Sequence, residues 1–218
     1  MLKYLKNPLV IVLSVLFFDQ LIKVIVKTSF MLGEEIHVAG DWFILHFTEN
    51  NGMAFGMELG GETGKLILSL FRTIAISGLG YYLYSIVKKK ELTGFIICIA
   101  LIFAGAMGNL IDSMFYGILF DDSYGQVASF LPADGGYASL LHGKVVDMFY
   151  FPIIQGHFPT WFPIWGGEDF EFFRPVFNLA DMSISFGVGF LILNQKKYFA
   201  EKPEEEKEIT SVENATQE

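Results

Sequence analysis

Four stretches of this 218-residue chain are apolar over the length that a helix needs to cross a lipid bilayer. Such a helix requires about 20 mostly apolar residues, because it rises about 1.5 Å per residue. The stretches are residues 7–27, 65–87, 92–113 and 175–195, and residues 92–111 contain no charged side chain. The pattern predicts an all-α membrane protein with four transmembrane helices.

The composition favours a membrane protein over an ordinary soluble domain. Apolar residues make up 52% of the chain and charged residues 18%, whereas soluble domains carry about 25% charged residues. The formal net charge is −9, and residues 201–218 contribute more than half of it through seven Glu and two Lys. No basic face for nucleic acid is expected. We expect residues 1–200 to form the membrane domain and residues 201–218 to be a disordered acidic tail, because this segment has too few apolar residues to fold alone.

Lysines beside the apolar stretches indicate the orientation of the chain, because basic residues favour the cytoplasmic side of a membrane. With four crossings, seven of them fall on one side: Lys3, Lys6, Lys88, Lys89, Lys90, Lys196 and Lys197. The connection 28–64 has no Lys or Arg, and the connection 116–174 has only Lys144 and Arg174. We therefore expect both termini in the cytoplasm. No small-residue cleavage site follows the first stretch, which favours a retained helix over a signal peptide.

The two outer connections are predicted to form a small β-rich cradle and extended loops. Residues 33–47 alternate loosely between apolar and polar side chains, which favours short strands at the membrane surface. Residues 150–173 are rich in Phe and Trp, which is typical of the layer where a membrane meets water.

Polar side chains of all four predicted helices fall at one depth, near the outer face. They are Asp19, Lys23, Arg72, Asn109, Asp112, Asn178 and Asp181. A charged group at the bilayer centre costs about 2.5–3.5 kcal/mol on insertion scales and usually faces the bundle interior or a wet cavity. Their common depth predicts a functional site.

Structural roles could account for some of these residues, but less well for Asp181. Asp19 and Lys23 are spaced to form an ion pair on one helix face, and the neighbouring amide and carboxyl side chains could join helices by hydrogen bonds. Asp181 has no basic residue within one turn, and Asp147 is flanked on both sides by apolar residues. Two carboxyl groups in apolar settings can share one proton, as in an aspartic protease. Spacing alone leaves open whether Asp147 and Asp181 meet.

Other classes of protein explain the pattern less well. A transporter or channel also places ionisable groups in a helix bundle, but here they lie at one side and do not line a path through the membrane. A zinc peptidase motif His-Glu-x-x-His and a Gly-x-Ser-x-Gly turn are both absent from the sequence. A structural membrane scaffold is a further alternative, although it leaves the paired acids unexplained.

Five short stretches resemble lipoprotein signal peptidase, also called signal peptidase II, a family of bacterial inner-membrane aspartic peptidases. They occur in the family's order and span most of the chain: residues 19–23 (DQLIK), 51–56 (NGMAFG), 105–112 (GAMGNLID), 145–149 (VVDMF) and 177–181 (FNLAD). One such stretch would be weak, but five in order on a four-span pattern form a specific signature.

The resemblance implies that Asp147 and Asp181 are the catalytic pair, and that the chain cuts diacylglyceryl prolipoproteins before the lipidated cysteine. In such a pair one Asp activates water and the other polarises the scissile carbonyl, so no cofactor or metal is expected. We expect a monomer in the bacterial inner membrane with its active site near the outer face. Supporting or substrate-binding roles are implied for Asp19, Lys23, Asn51, Gly108, Asn109, Asp112, Asn178 and Ala180.

Two features depart from the family pattern. Ser113 stands where the family usually has Arg, directly after Asp112, and we hypothesise that Arg174 or Lys144 replaces it. In addition, about 34 residues separate each consecutive pair among Asp112, Asp147 and Asp181, which is longer than expected of the family. The extra residues are predicted to be outer loop insertions.

Overall fold

The computed structural model describes residues 7–52, 61–152, 154–172 and 175–199. The helices are α1 (Pro8–Lys27), α2 (Gly61–Lys88), α3 (Thr93–Ile111), α4 (Gly117–Leu119), α5 (Leu179–Leu193) and α6 (Gln195–Tyr198). A π-helical turn, Asp112–Tyr116, joins α3 to α4. The strands are β1 (Glu35–Ala39), β2 (Phe43–Asn50), β3 (Val145–Tyr150), β4 (Ile154–His157) and β5 (Asp169–Phe172). Arg174 and the predicted tail lie outside the described residues.

Three of the described helices are long and apolar enough to cross a membrane: Pro8–Lys27, Gly61–Lys88 and the continuous run Thr93–Leu119. The fourth apolar helix, α5, has 15 residues. At about 1.5 Å per residue it is shorter than a hydrocarbon core of about 30 Å. Three helices are therefore long and apolar enough to span a membrane, and the count of four crossings stays a prediction.

Local signals set the helix ends, so the bounds differ from those of the apolar stretches. The α1 helix begins at Pro8, because the side chain of Asn7 accepts a hydrogen bond from the amide of Leu9 and proline suits the first helical position. The α5 helix begins at Leu179 and not near residue 175, because Asn178 caps it. In contrast, α2 begins at Gly61, before the apolar stretch that starts at residue 65, since polar residues can continue a helix beyond its apolar part.

The central helix of the bundle is α3, which packs against α1, α2 and α5. Small residues allow the closest approach to α5. A Cβ atom on Gly105 would lie 2.2 Å from the carbonyl oxygen of Ala180, and one on Gly187 would lie 2.7 Å from the side chain of Ile102. Small residues at helix contacts are characteristic of membrane bundles. They bring the C-terminal half of α3 close to α5.

The predicted strands are present, and they join a strand that the alternation did not reveal. An antiparallel sheet runs in the order β1-β2-β3, so the hairpin of residues 35–50 pairs with a strand almost 100 residues later. The β2–β3 ladder pairs Thr48 with Asp147, and its register shifts between Leu45 and Thr48. The all-α expectation thus holds for the bundle only. A second, two-stranded sheet, β4-β5, lies in the outer connection, where the ring of Trp161 is 78% exposed.

Two apolar cores flank the level at which the polar residues lie. One lies among the helices and contains Val12, Leu83, Ile86, Phe95, Ile96, Ile99, Ala100 and Ala104. The other lies between α1, the end of α3 and the sheet, and contains Val26, Phe30, Phe47, Tyr116, Phe120, Val146 and Met148. The polar side chains are therefore enclosed between two packed layers.

Candidate active site

Asp147 lies on β3 and is almost fully buried. Its neighbours Val146 and Met148 pack into the core beneath the sheet, so the alternation of a strand directs Asp147 to the opposite face. Its Oδ1 accepts a hydrogen bond of 2.7 Å from the side-chain amide of Asn178, and its Oδ2 accepts one from the amide of Asn50.

Asp181 lies in the first turn of α5 and takes part in the cap of that helix. The side chain of Asn178 accepts a hydrogen bond of 2.9 Å from the amide of Asp181, whose carboxylate accepts one of 3.3 Å from the amide of Asn178. The side-chain amide of Asn109 donates to the Asp181 carboxylate over 2.8 Å. Asn178 therefore contacts both acids and brings them to one place.

The surroundings of Asp147 favour its protonated form. Burial raises the pKa of Asp147 to about 8, and the negative charge of Asp181 acts in the same direction. A carboxyl group that keeps its proton near neutral pH beside a second carboxylate is a pairing suited to acid–base chemistry.

Lys23 neutralises two further acids beneath the pair. Its ammonium group lies 3.0 Å from Asp19 and 2.7 Å from Asp112, and all three side chains are fully buried. It also donates to the side-chain oxygen of Asn109 over 2.8 Å. The ion pair predicted on α1 is thus present and has a third member, Asp112.

Asp19 and Asp112 hold the backbone next to each candidate catalytic acid. Asp19 accepts a hydrogen bond of 2.9 Å from the amide of Ala180, the residue before Asp181. Asp112 accepts one of 3.3 Å from the amide of Val146, the residue before Asp147. One cation, Lys23, consequently links the supports of both acids.

Glycine and glutamine complete the packing of this network. A Cβ atom on Gly108 would lie 2.7 Å from the Asp19 carboxylate, so a larger residue would displace that acid. The side chain of Gln20 donates to Asp112 over 2.8 Å and to the carbonyl of Gly108 over 3.2 Å, while its oxygen accepts from the hydroxyl of Tyr116.

Asn50 and Gln20 were not assigned to the site from the sequence, and Arg72 was placed at the level of the site without a role. Asn50 contacts Asp147, whereas the predicted Asn51 accepts a hydrogen bond of 2.8 Å from Lys65, so the role of Asn51 stays a prediction. The guanidinium of Arg72 donates to the carbonyl of Gly52 and interacts electrostatically with Asp181. Asn50 shares a face of β2 with Thr48, the partner of Asp147, and this register is evident only in the structure.

The side chains of Ser113 and Lys144 both have partners of their own. The hydroxyl of Ser113 donates to the carbonyl of Asn109 over 3.0 Å, so it acts within its own helix. Lys144 lies 3.4 Å from Glu49 and over the ring of Tyr137, and is therefore engaged elsewhere. The guanidinium of Arg72, on α2, interacts electrostatically with Asp181.

The described residues contain no group of three or more His, Cys, Asp or Glu side chains that could hold a metal ion. The buried carboxylates of Asp19 and Asp112 are both paired with the ammonium group of Lys23.

The model of a peptidase family described as signal peptidase (SPase) II matches residues 11–196, which is most of the chain. The chain belongs to the signal peptidase II family. Its match to the "Lipoprotein signal peptidase" of Porphyromonas gingivalis is 52% identical and covers 84% of this chain and 80% of that protein. A protein of the same name from Amoebophilus asiaticus is 35% identical, with 89% and 79% covered. The family predicted from the five stretches is confirmed.

A solved structure of a bacterial membrane enzyme resembles this chain in fold. The two chains share 26% sequence identity with a TM-score of 0.56, and the match covers 90% of this chain and 92% of that one. The fold of this chain is therefore similar to that of a bacterial membrane enzyme.

Proposed function

We propose that this protein is a membrane aspartic endopeptidase that removes signal peptides from diacylglyceryl-modified prolipoproteins, cutting before the lipidated cysteine. The observation that carries the proposal is the single amide of Asn178, which contacts both Asp147 and Asp181. Membership of the signal peptidase II family supports the peptidase activity and the class of substrate. The same membership supports a bacterial inner membrane location, and we further propose that the substrate enters from the bilayer.

In the proposed mechanism the two acids have different protonation states. Asp147 is the neutral acid, because its pKa of about 8 keeps it protonated at neutral pH. Asp181 is the carboxylate, since its negative charge is favoured at the amino end of α5 and by the nearby Arg72. Asp181 removes a proton from water as the water attacks the scissile carbonyl, and Asp147 donates a hydrogen bond to the carbonyl oxygen as charge develops there. The proton taken by Asp181 then passes to the leaving amine.

The proposed topology has four crossings, with both termini in the cytoplasm and the site near the outer face. The helix α5 followed by α6 supplies the fourth crossing, and Lys196 and Lys197 lie at its cytoplasmic end. We further propose that the enzyme is a monomer, that residues 1–200 form one peptidase domain, and that the reaction needs no metal.

The proposed function is tested with a synthetic lipobox peptide that carries a diacylglyceryl cysteine, presented in detergent micelles. The same peptide without the lipid serves as the control for substrate class, and a chelator is added in parallel. We expect cleavage before the lipidated cysteine, with the chelator present or absent. Proton-dependent ion flux in vesicles without any cleavage would instead favour a transporter.

The pKa of Asp147 predicts the basic limb of the pH dependence. Because the raised pKa keeps Asp147 protonated below about 8, the active form is lost as the pH rises through that value. We expect kcat/KM to fall about tenfold for each pH unit above the limb. The measurement is kcat/KM from pH 6 to pH 10 on a substrate without ionisable side chains, with folding monitored at each pH. A flat profile up to pH 10 would contradict the assignment of the proton to Asp147.

Replacement of Arg72 by Met is expected to lower kcat/KM by about 10–100-fold, a scale typical of losing one preorganised positive or hydrogen-bonding group. The physical reason is that the guanidinium attracts Asp181 and holds the carbonyl of Gly52, whose amide donates to Asn50 over 2.6 Å. Arg72→Lys keeps the charge and should retain part of the activity. Lys88→Met, in the last turn of the same helix, is the matched control and should behave as wild type. Equal activity of Arg72→Met and the control would exclude this role.

A further inference from the structure

A second buried charge cluster lies apart from the carboxyl network, between α1, the sheet and the outer connection. Its members, here named the Lys27 cluster, are Lys27, Glu49, Ser123, Tyr137 and Lys144. The side chains of Lys27 and Glu49 are 0% and 2% exposed and form an ion pair. Lys27 also donates to the hydroxyl of Ser123 over 2.9 Å. The proposed reaction uses none of these residues.

The enclosure of Lys27 is unusual for a lysine at the end of a helix. Such a side chain can normally extend its ammonium group to water, yet the ammonium of Lys27 lies 5.0 Å from the ring centre of Tyr137 and 5.5 Å from that of Phe120. Lys144 covers the other face of the pair, 3.4 Å from Glu49. The outer connection therefore closes over the ion pair. Buried pairs of this kind contribute little to stability compared with apolar residues, and their best-attested role is to fix register.

The position of Glu49 in the sheet gives the pair a specific consequence. Glu49 precedes Asn50 on β2, so their side chains point to opposite faces of the sheet. Glu49 faces Lys27 on the core side, and Asn50 faces Asp147 on the side of the active site. A slip of one residue along β3 would exchange these faces and remove the amide of Asn50 from Asp147.

The β2–β3 ladder does not hold this register by continuous pairing. Its register shifts between Leu45 and Thr48, directly before the segment that contains Glu49 and Asn50. This segment pairs with Val145, Val146 and Asp147 on an edge strand of the sheet. An additional contact is needed to set which face each side chain occupies after the irregularity.

We infer that Lys27 and Glu49 are positioning residues, whose buried ion pair fixes the register of β2 so that Asn50 holds the Asp147 carboxyl. The inference rests on the proposed function, because cleavage is its readout. The inserted outer connection contributes to the same positioning, because it supplies Ser123, Tyr137 and Lys144 around the ion pair. Residues 123, 137 and 144 of this connection thereby act on Asp147 through β2.

The test is a double-mutant cycle measured as kcat and KM on the lipidated peptide. The variants are the neutral pair Lys27→Met with Glu49→Gln, Asn50→Ala alone, and all three changes together. The neutral pair keeps the volume of both side chains and leaves no buried charge unpaired, so it is expected to fold. Glu35→Gln is the matched control, because Glu35 is an exposed glutamate on the same sheet that contacts His46 and no member of the Lys27 cluster.

We expect the neutral pair to lower kcat about tenfold with KM changed less than about twofold, a size typical of groups that orient a reacting residue. Added to Asn50→Ala, it should cause no further loss beyond about twofold, because both changes remove the same contact. The Glu35→Gln control should keep wild-type kcat. Wild-type kcat in a folded neutral pair, or a full multiplicative loss on top of Asn50→Ala, would overturn the inference.

The outcome is distinguishable from a failure of the proposed function. If the wild type does not cleave the lipidated peptide, the proposed function itself is wrong. If the wild type cleaves and the neutral pair does so equally well, only the positioning role fails. Should the neutral pair unfold, Glu49→Asp keeps both charges and shortens the acidic side chain by one methylene group, which weakens the ion pair without leaving Lys27 unpaired. Loss of kcat with the fold retained is then the expected result, and an unchanged kcat would overturn the inference.

Discussion

Asp147→Asn and Asp181→Asn are each expected to lower kcat by about 10⁴-fold, the scale seen when a carboxylate essential to acid–base chemistry is lost. Asn cannot remove a proton from water at position 181, and at position 147 it cannot supply an acidic proton to the developing oxyanion. Each replacement keeps the volume of the side chain and much of its hydrogen bonding to Asn178. The loss should therefore be chemical and should not reflect unfolding. Single-turnover cleavage of the lipidated peptide by each purified variant measures it.

Asp41→Asn is the matched control for both variants, because the side chain of Asp41 is 89% exposed and pairs only with His37 among the recorded ion pairs of the described residues. It should cleave as fast as the wild type. Thermal unfolding of all four proteins establishes that they are folded. Full activity of either active-site variant would show that the two acids do not act as a pair, whereas loss in the control would point to a nonspecific effect of the substitution.

Lys23→Met is expected to destabilise the protein by about 3–5 kcal/mol, the cost of removing one partner from a buried ion pair. Lys23 is the cation that lies between Asp19 and Asp112, and all three side chains are 0% exposed. Without it, two carboxylates face each other in a low-dielectric interior. For a chain of this size the loss corresponds to roughly 6–20 °C in Tm. Thermal unfolding in detergent measures the effect.

Two further variants test the cause of this loss. Lys196→Met, in the exposed helix α6, removes a lysine without breaking a recorded ion pair and should leave Tm unchanged. Lys23→Met combined with Asp112→Asn removes one of the two unpaired carboxylates and should recover part of the stability. An unchanged Tm in Lys23→Met would mean that water or another group compensates the acids, and that Lys23 is dispensable for folding.

The bundle was largely predictable from the sequence, because long apolar stretches have few alternatives in a membrane protein. Three of the four stretches correspond to helices of spanning length. The fourth helix is shorter than its apolar stretch, since Asn178 ends the preceding loop and begins the helix through a cap. Apolar composition locates a stretch in the membrane, but caps determine where a helix begins.

The sheet was only half predictable. Alternation in residues 33–47 indicated the hairpin, but β3 does not alternate, because Asp147 stands among apolar and aromatic residues. Its pairing with β2 is non-local and depends on how α1 and α3 position the two connections. The periodicity of apolar residues in the sequence does not indicate which strands pair.

The candidate site was predictable in its charged members and less so in its amides. Asp19, Lys23 and Asp112 stand out because charges in apolar stretches are rare. Asn50 and Asn51 are adjacent, and choosing between them requires the register of β2, which the sequence does not specify. Arg72 was placed at the level of the other polar side chains, but its approach to Gly52 depends on the tertiary packing of α2.

The anchoring of Ala180 by Asp19 and of Val146 by Asp112 separates the geometry of the reaction from the length of the outer loops. Both anchors belong to the membrane bundle. The helices therefore determine the distance between the two acids, and the length of the chain between them does not. Outer segments such as the β4–β5 hairpin can therefore lengthen, shorten or diverge between species while the chemistry stays in place. In evolutionary terms, the loops supply variation and the bundle preserves the active site.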